Sequence, residues 1–480
     1  MKKHAVIIGA GLGGLECGVI LSKEGWKVTV LEKGLQAGGC LQGFRRGGFT
    51  FDTGFHYVGG IDEGGPLHPL FHYFNLLDLP WVRLDKDCFD EVVIGGESFP
   101  FAMGYKPFVD ALAERFPSDR LGLEKFTARL RDIGDHIFDA FAGQMNPAFA
   151  ESAWDFLRSC TDDPLLQKVL SGTSLKLQLS RESLPLYVFA QISGSFVHSS
   201  HRLRGGGPAI VERLVSQIDG EVRTGAAVTG IIEEGGLVKA VEIDGGERLE
   251  ADAFISDIHP VALFSLLGED SGIRKIYRKR ISSLENTAGM FTANILLKEG
   301  ALPCLGRNVF VHTADEDPWA PDLSRTQSVM VHFYPETWPD GSAKAIDLLS
   351  PMPASALAEW DGTTIGHRGQ KYLALKESKA SECIALAGTR LSGLSKAVDK
   401  VFTSSPLTWR DYTASFGGSA YGIMKDWRNP LGSVISPRTP LANLYLTGQN
   451  LNLHGILGTS MTSVLTASAV LGRMPDYILS

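Results

Sequence analysis

No two of the six cysteines, at positions 17, 40, 88, 160, 304 and 383, form a C-x-x-C pair. Thiols scattered in this way supply neither a disulfide framework nor a zinc site, and they fit a reducing compartment. Positive charge is also in short supply. Lys and Arg number 46 against 54 Asp and Glu, for a net charge of −8, and no basic block stands out. A nucleic-acid partner needs a clustered positive face, so that class is excluded. Long apolar runs are equally scarce. Met1-Lys2-Lys3-His4 before Ala5-Val6-Ile7-Ile8 looks like the front of a signal peptide, but Gly9, Gly11, Gly13 and Gly14 interrupt the run and Glu16 follows. No small-residue cleavage pattern comes after it, and the reading is a cytoplasmic protein. From Asn450 to Gly472 there is no Asp, Glu, Lys or Arg, yet six Ser or Thr lie between Thr459 and Ser468. A membrane span wants around 20 predominantly apolar residues, so a helix buried within a globular core is expected here. His68 with His72 and His198 with His201 lack a third ligand at suitable spacing, and no metal site is expected. No P-loop or G-x-S-x-G elbow occurs.

What the chain has in excess is glycine, 54 of 480 residues or about 11%, against an average near 7%. Tight turns and close backbone approaches are implied, and the first of them fall at once. Ala5 to Ile8 reads as a strand, Gly9 to Gly14 as a turn, Leu15 to Lys23 as a helix ended by Gly25, and Lys27 to Leu31 as a second strand. This is a β-α-β unit with parallel strands. Residues 107–141 read as helical, because Leu123, Phe126, Leu130, Ile133, Ile137 and Phe141 recur at spacings of three and four. Between 221 and 256 the period shortens. Val228 to Ile232, Leu237 to Ile243 and Ala253 to Ile255 read as a small β-meander after a helix beginning near Pro208. Leu184 to Val197 is an apolar run suited to core or to a hydrophobic tunnel. The length fits two or three domains, one of them assembled from separated pieces of chain.

Gly9-Ala10-Gly11-Leu12-Gly13-Gly14 fits G-x-G-x-x-G. The first glycine permits the tight turn, the second lets backbone approach a pyrophosphate, and the third lets helix and strand pack closely. The helix N-terminus offers free N–H groups to the phosphates. Glu32, 18 residues after Gly14, ends the second strand, where a carboxylate accepts hydrogen bonds from a ribose 2′-OH. Strand, turn, helix, strand and acid in register define a dinucleotide site. Lys33 follows, and Gly38-Gly39 is a second pair suited to bringing backbone near the same diphosphate. Thr447-Gly448-Gln449-Asn450 follows a strand at Leu444 to Leu446.

This combination resembles the flavoprotein superfamily of amine oxidases, phytoene desaturases, carotenoid isomerases and retinol saturases. Phe51 to Gly59 and Arg204-Gly205-Gly206-Gly207-Pro208 look like the retinol saturase and carotenoid isomerase versions of their segments, and Gly418-Ser419-Ala420-Tyr421-Gly422 looks like a phytoene desaturase segment. The resemblance implies an α/β Rossmann-like FAD-binding domain interleaved with a mixed α+β substrate domain. Residues 1–85, 201–270 and 430–480 would form the first; 86–200 and 271–429 would form the second, with its helical part at about 107–200. It implies FAD as cofactor, with Gly9, Gly11, Gly13 and Gly14 at the pyrophosphate, Glu32 and Lys33 toward the adenosine ribose, and Gly38 and Gly39 against the diphosphate or flavin. Val228 would meet the adenine through its backbone. Gly448 and Asn450 would reach the ribityl phosphate, with Gly458, Thr459, Ser460 and Met461 starting a helix aimed at the flavin. Cys40, Asn450 and Ser256-Asp257 depart from the residues usual at those places.

The implied activity is saturation, isomerisation or desaturation of a long apolar polyene, a carotenoid or retinoid, with an electron donor or acceptor that the motifs do not identify. Such a substrate lives in a bilayer, so peripheral membrane contact is part of this reading. Alkene reduction needs a proton donor, and His56, Tyr57 and His454 are the candidates, standing beside motifs expected near the flavin. Two alternatives stay open: an amine oxidase-type enzyme, and a non-enzymatic isoprenoid carrier of the GDP-dissociation-inhibitor type.

Overall fold

Segments that are apolar on both faces form the centre of one parallel sheet, and it is this sheet that positions the site. The computed structural model describes residues 2–479. His4–Ile8 and Lys27–Glu32 run side by side, with Ile8 opposite Leu31, and the helix Leu12–Lys23 connects them. Strands from far along the chain complete the sheet in the order Gly220–Thr224, Lys27–Glu32, His4–Ile8, Ala253–Ser256, Leu444–Leu446, every neighbouring pair parallel. Val6, Ile7, Val30, Phe254, Ile255 and Leu444 are completely buried. Continuous apolar runs of this kind are what a sheet covered on both faces requires.

Three details differ from the sequence reading. The first helix begins at Leu12 rather than Leu15, which puts Gly13 and Gly14 in its first turn. That turn carries the N–H groups with no partner inside the helix. Ala253–Ser256 is not part of the meander, whose three strands are Val228–Glu234, Leu237–Ile243 and Arg248–Glu250. Four buried residues in a row, three of them apolar, suit the centre of the parallel sheet better than a half-exposed edge. The helical reading of 107–141 divides into Tyr105–Ala113, Arg120–Asp135 and a 3-10 turn at Ile137–Ala142. Pro117 has no N–H to donate and ends the first of these. Leu123, Phe126, Leu130, Ile133 and Ile137 are buried as their spacing predicts, whereas Phe141 is only half-buried.

A second, seven-stranded sheet runs in the order Val398–Ser404, Gly289–Leu297, Ala345–Met352, Ser328–Phe333, Asn308–His312, Asp90–Ile94, Glu97–Phe101. Only Asn308–His312 and Asp90–Ile94 pair parallel. The helix Leu186–His198 packs on Arg120–Asp135, with the Phe126 and Phe189 rings edge to face at 6.1 Å.

The uncharged segment near the end of the sequence forms the buried helix Gly455–Leu471, and no described helix is long and apolar enough to cross a membrane. Its hydroxyls are satisfied internally, as buried polar groups must be. Thr466 donates to the Leu446 and Thr462 carbonyls. Ser460 and Ser463 donate to the two carboxyl oxygens of Glu16 at 2.7 and 2.8 Å. Burial pushes the Glu16 carboxyl up to about 8, against those two hydrogen bonds. In the unfolded chain the same group titrates near 4.5. Between these values the folded state holds a proton that the unfolded state has lost, so the contribution of Glu16 to stability falls as pH rises through that window. Glu16→Gln is therefore expected to gain stability relative to the natural chain by roughly 2–4 kcal/mol between pH 5 and pH 9. Paired denaturant melts at the two pH values check this, and a pH-independent difference would refute it.

Candidate functional site

A cavity of about 510 Å³ lies between the two large sheets. One end is built by the glycine segments. Gly9, Gly11 and Gly13 line it, together with Gly38, Gly39, Glu32, Lys33, Val228 and Gly448. The backbones converge so closely that side chains are excluded. A Cβ on Gly13 would lie 2.9 Å from the Gly448 nitrogen, and one on Gly39 would lie 3.2 Å from the Gly11 Cα. Glu32 is anchored by two backbone donors, the Ala10 N–H at 3.0 Å and the Gly34 N–H at 2.7 Å. Each of its oxygens keeps acceptor capacity toward the cavity.

Asp257 occupies the centre of this cradle, accepting hydrogen bonds from the Gly14 and Gly11 N–H groups. Burial pushes its carboxyl up to about 7, and the neighbouring Glu32 charge adds to the rise. The sequence had shown Asp257 only as a departure from a familiar pair. Its partners become visible only once Ala253–Ser256 is placed beside His4–Ile8. Asn450 also lines the wall, and its Oδ1 is buried with no hydrogen-bond partner among the described residues.

Not every expected residue reaches the cavity. Thr459 lines it, whereas Gly14, Gly458, Ser460 and Met461 do not. Gly14 closes on the Gly9 carbonyl, and Gly458 closes on Leu453. Ser460 points to Glu16, and Met461 is buried in the core. One face of the helix meets the cavity, and these residues lie on its other faces.

The far end of the cavity is apolar. Phe55, Ile192, Phe196, Met290, Met330 and Leu349 contribute to its wall, and among the described residues Glu32 and Asp257, both at the glycine end, are the only carboxylates on it. The three proton-donor candidates all stand there. Burial lowers His56 to about 4; its Nε2 has no hydrogen-bond partner among the described residues and lies 3.8 Å from Asp347. Burial likewise lowers His454 to about 4, with its Nε2 3.1 Å from the Lys176 carbonyl. Tyr57 donates to Asp90 at 2.8 Å, and burial together with that carboxylate holds the phenol well above its usual value.

Beside them stands a group the sequence reading did not single out. Lys176 lines the cavity and donates to the same Asp90 oxygen at 2.7 Å. Its ammonium lies 4.1 Å from the Phe196 ring centroid and 5.2 Å from that of Tyr57. Asn308 donates to the other Asp90 oxygen at 3.0 Å. Burial lowers the Lys176 ammonium, and Asp90 partly opposes that shift. The one signal in the sequence was a lone cation in the alternation Leu175-Lys176-Leu177-Gln178-Leu179.

The parallel sheet and its glycine cradle define a dinucleotide-binding protein of the Rossmann type. Residues 7–74 match the model of the NAD(P)-binding Rossmann-like domain. Over the whole length the similarity is more particular. The chain is 25% identical to the all-trans-retinol 13,14-reductase of Rattus norvegicus across 98% of this chain and 86% of the rat protein. It is 24% identical to the chloroplastic prolycopene isomerase of Daucus carota, across 97% of this chain and 79% of the carrot protein. A solved structure of wild-type putrescine oxidase superposes with a TM-score of 0.65 at 16% identity, covering 98% of this chain and all of that one. Along nearly its whole length the chain is similar to all-trans-retinol 13,14-reductases and prolycopene isomerases, the resemblance its motifs carried.

Proposed function

We propose that this protein is an FAD-dependent oxidoreductase acting on the double bonds of a long apolar polyene of the retinoid or carotenoid kind. The observation that carries this reading is the joining of the glycine cradle to a chamber walled by Phe55, Ile192, Phe196 and Met290, where Asp90 and Asp347 lie behind the lining and Asp90 is already paired with Lys176. An amine substrate would be a cation and would need an acid or an open aromatic cage there.

The residues present fit a flavin dinucleotide. The backbone at Gly11, Gly13 and Gly39 forms a cradle without side-chain bulk that a diphosphate would enter as Asp257, its carboxyl pushed up to about 7, gives up the Gly11 and Gly14 N–H groups. Glu32 stands at the end of the second strand for the adenosine ribose, and Asn450 holds an unused acceptor toward the cavity. When bound, the flavin supplies hydride transfer. The chain supplies the rest. Phe55, Ile192, Phe196 and Met290 hold an apolar chain and keep water away. Lys176 is the proton donor in this reading. His56 and His454 are neutral near pH 7, and the Tyr57 phenol is held by Asp90 and is too weak an acid. The Lys176 ammonium, made a stronger acid than a free lysine by burial, is the remaining proton source, and Asp90 holds it in position, itself held by Asn308. We place the protein in the cytoplasm, in peripheral contact with the membrane that holds such a substrate.

The test is a visible spectrum of the purified protein, with the released chromophore identified by mass, followed by anaerobic mixing of the reduced protein with retinoids and carotenoids. FAD that is reoxidised by a polyene is the expected result. A protein that neither carries nor takes up FAD would overturn the reading, as would a flavin reduced by amines but inert to polyenes.

A further inference from the structure

A second cavity, of about 610 Å³, opens beside the first and shares Gln42, Trp409 and Tyr412 with it as a common wall. That volume is ordinary for a small-molecule site. Phe44, Ile365, Leu373 and Phe402 make its walls apolar, and Ile365 and Leu373 remain about half exposed, at 48% and 51%. Its charge is of one sign. Arg46, Arg368 and Lys376 line it, and among the described residues no Asp or Glu does.

Only one of these cations is matched by a carboxylate: Arg368 pairs with Asp411, which lies outside the lining. Arg46 donates only to the neighbouring Arg45 carbonyl, and Lys376 donates to the Thr403 carbonyl at 3.1 Å. Lys376 and Arg368 both lie over the Tyr372 ring, at 5.2 and 5.3 Å from its centroid. Two like charges on one ring repel, and Lys376 is lowered by burial and by the Arg368 charge. A half-buried Lys376 and an exposed Arg46 at the rim, both without carboxylates and beside apolar walls, are the complement of an anion carried on a hydrocarbon chain.

We infer that this second cavity binds an apolar chain ending in a single anionic group, a carboxylate or phosphate, with Arg46 and Lys376 on the anion and Phe44, Leu373 and Phe402 along the chain. The site is separate from the cofactor cradle. The inference does not rest on the flavin reading, because binding is measured without turnover.

The experiment is displacement of a dansyl-labelled fatty acid from the purified full-length protein by oleate and by oleyl alcohol. A parallel arm tests flotation with vesicles of phosphatidylcholine alone or with phosphatidylglycerol. Oleate is expected to displace the probe at least ~10-fold more effectively than the alcohol, about 1.4 kcal/mol of preference. The double variant Arg46→Met, Lys376→Met should lose that preference while keeping its circular dichroism spectrum and melting temperature. Retention on the anionic vesicles that the variant loses, without free-acid preference, assigns the anion to a lipid headgroup and supports the site. Equal displacement by acid and alcohol with no vesicle preference overturns it, as does a preference the double variant keeps. Should the double variant fail to fold, Lys376→Gln alone is expected to reduce the preference, and an unchanged preference there overturns the inference equally.

Discussion

Gly11→Val is expected to purify as a folded, colourless protein. Gly11 has φ −72° and ψ 179°, an extended conformation open to any residue, so the substitution strains no backbone there. A Cβ at this position would lie 2.5 Å from one Asp257 carboxyl oxygen, the movable tip of a side chain. The valine methyls would then extend into the space bounded by Gly39 and Gly448, where the diphosphate of the proposed cofactor would sit. Folding survives and binding does not, with a loss of ~10-fold or more in affinity, at least about 1.4 kcal/mol. Flavin absorbance per mole of protein measures it, with thermal melting as the check on folding. A Gly11→Val protein holding stoichiometric FAD would mean the cradle is not the dinucleotide site. Gly13→Val is the instructive contrast, because its Cβ meets the Gly448 backbone, which cannot step aside, and this variant should also melt at lower temperature.

Lys176→Met should retain flavin and lose turnover. Its Nζ lies among Tyr57, Phe196 and Asp90, far along the cavity from the glycine segments, so cofactor content is unaffected. Loss of a positioned proton donor costs about 10²-fold or more in the step that uses it. The natural enzyme should slow as pH rises through the lowered value of the Lys176 ammonium, since only the protonated form donates. That limb of the profile should vanish in the variant. Asp90 is left as a buried carboxylate without its cation, so Lys176→Met combined with Asp90→Asn controls for misfolding. A Lys176→Met enzyme with natural rates and an unchanged pH profile would return the proton role to His56, Tyr57 or His454.

The cradle was legible because its physics is local. Gly9 to Gly14, Glu32 and Gly38-Gly39 lie within 31 residues, and each is required for a backbone reason that spacing expresses directly. The chamber was not legible in the same way. Lys176 meets Asp90 across 86 positions, and Asn308 meets it across 218, so neither pairing has a period or motif to announce it. Asp257 was visible as an oddity, but its function in the cradle depends on a parallel strand register that no local pattern sets. The helix Gly455–Leu471 shows the limit from the other side. Its position after Gly448 was readable, yet which of Thr459, Ser460 and Met461 faces the cavity depended on Glu16, more than 440 residues away.

That distance has a consequence in time. Synthesis runs in one direction, and the glycine turn and Glu32 emerge from the ribosome long before Leu444–Leu446 and Gly455–Leu471 exist. Until those segments arrive, Glu16 has no serine partners, the parallel sheet lacks its edge strand, and the wall at Gly448 is missing. The nascent chain must therefore wait with an open, partly apolar cradle, and the cradle closes only after Leu444–Leu446 and Gly455–Leu471 have emerged.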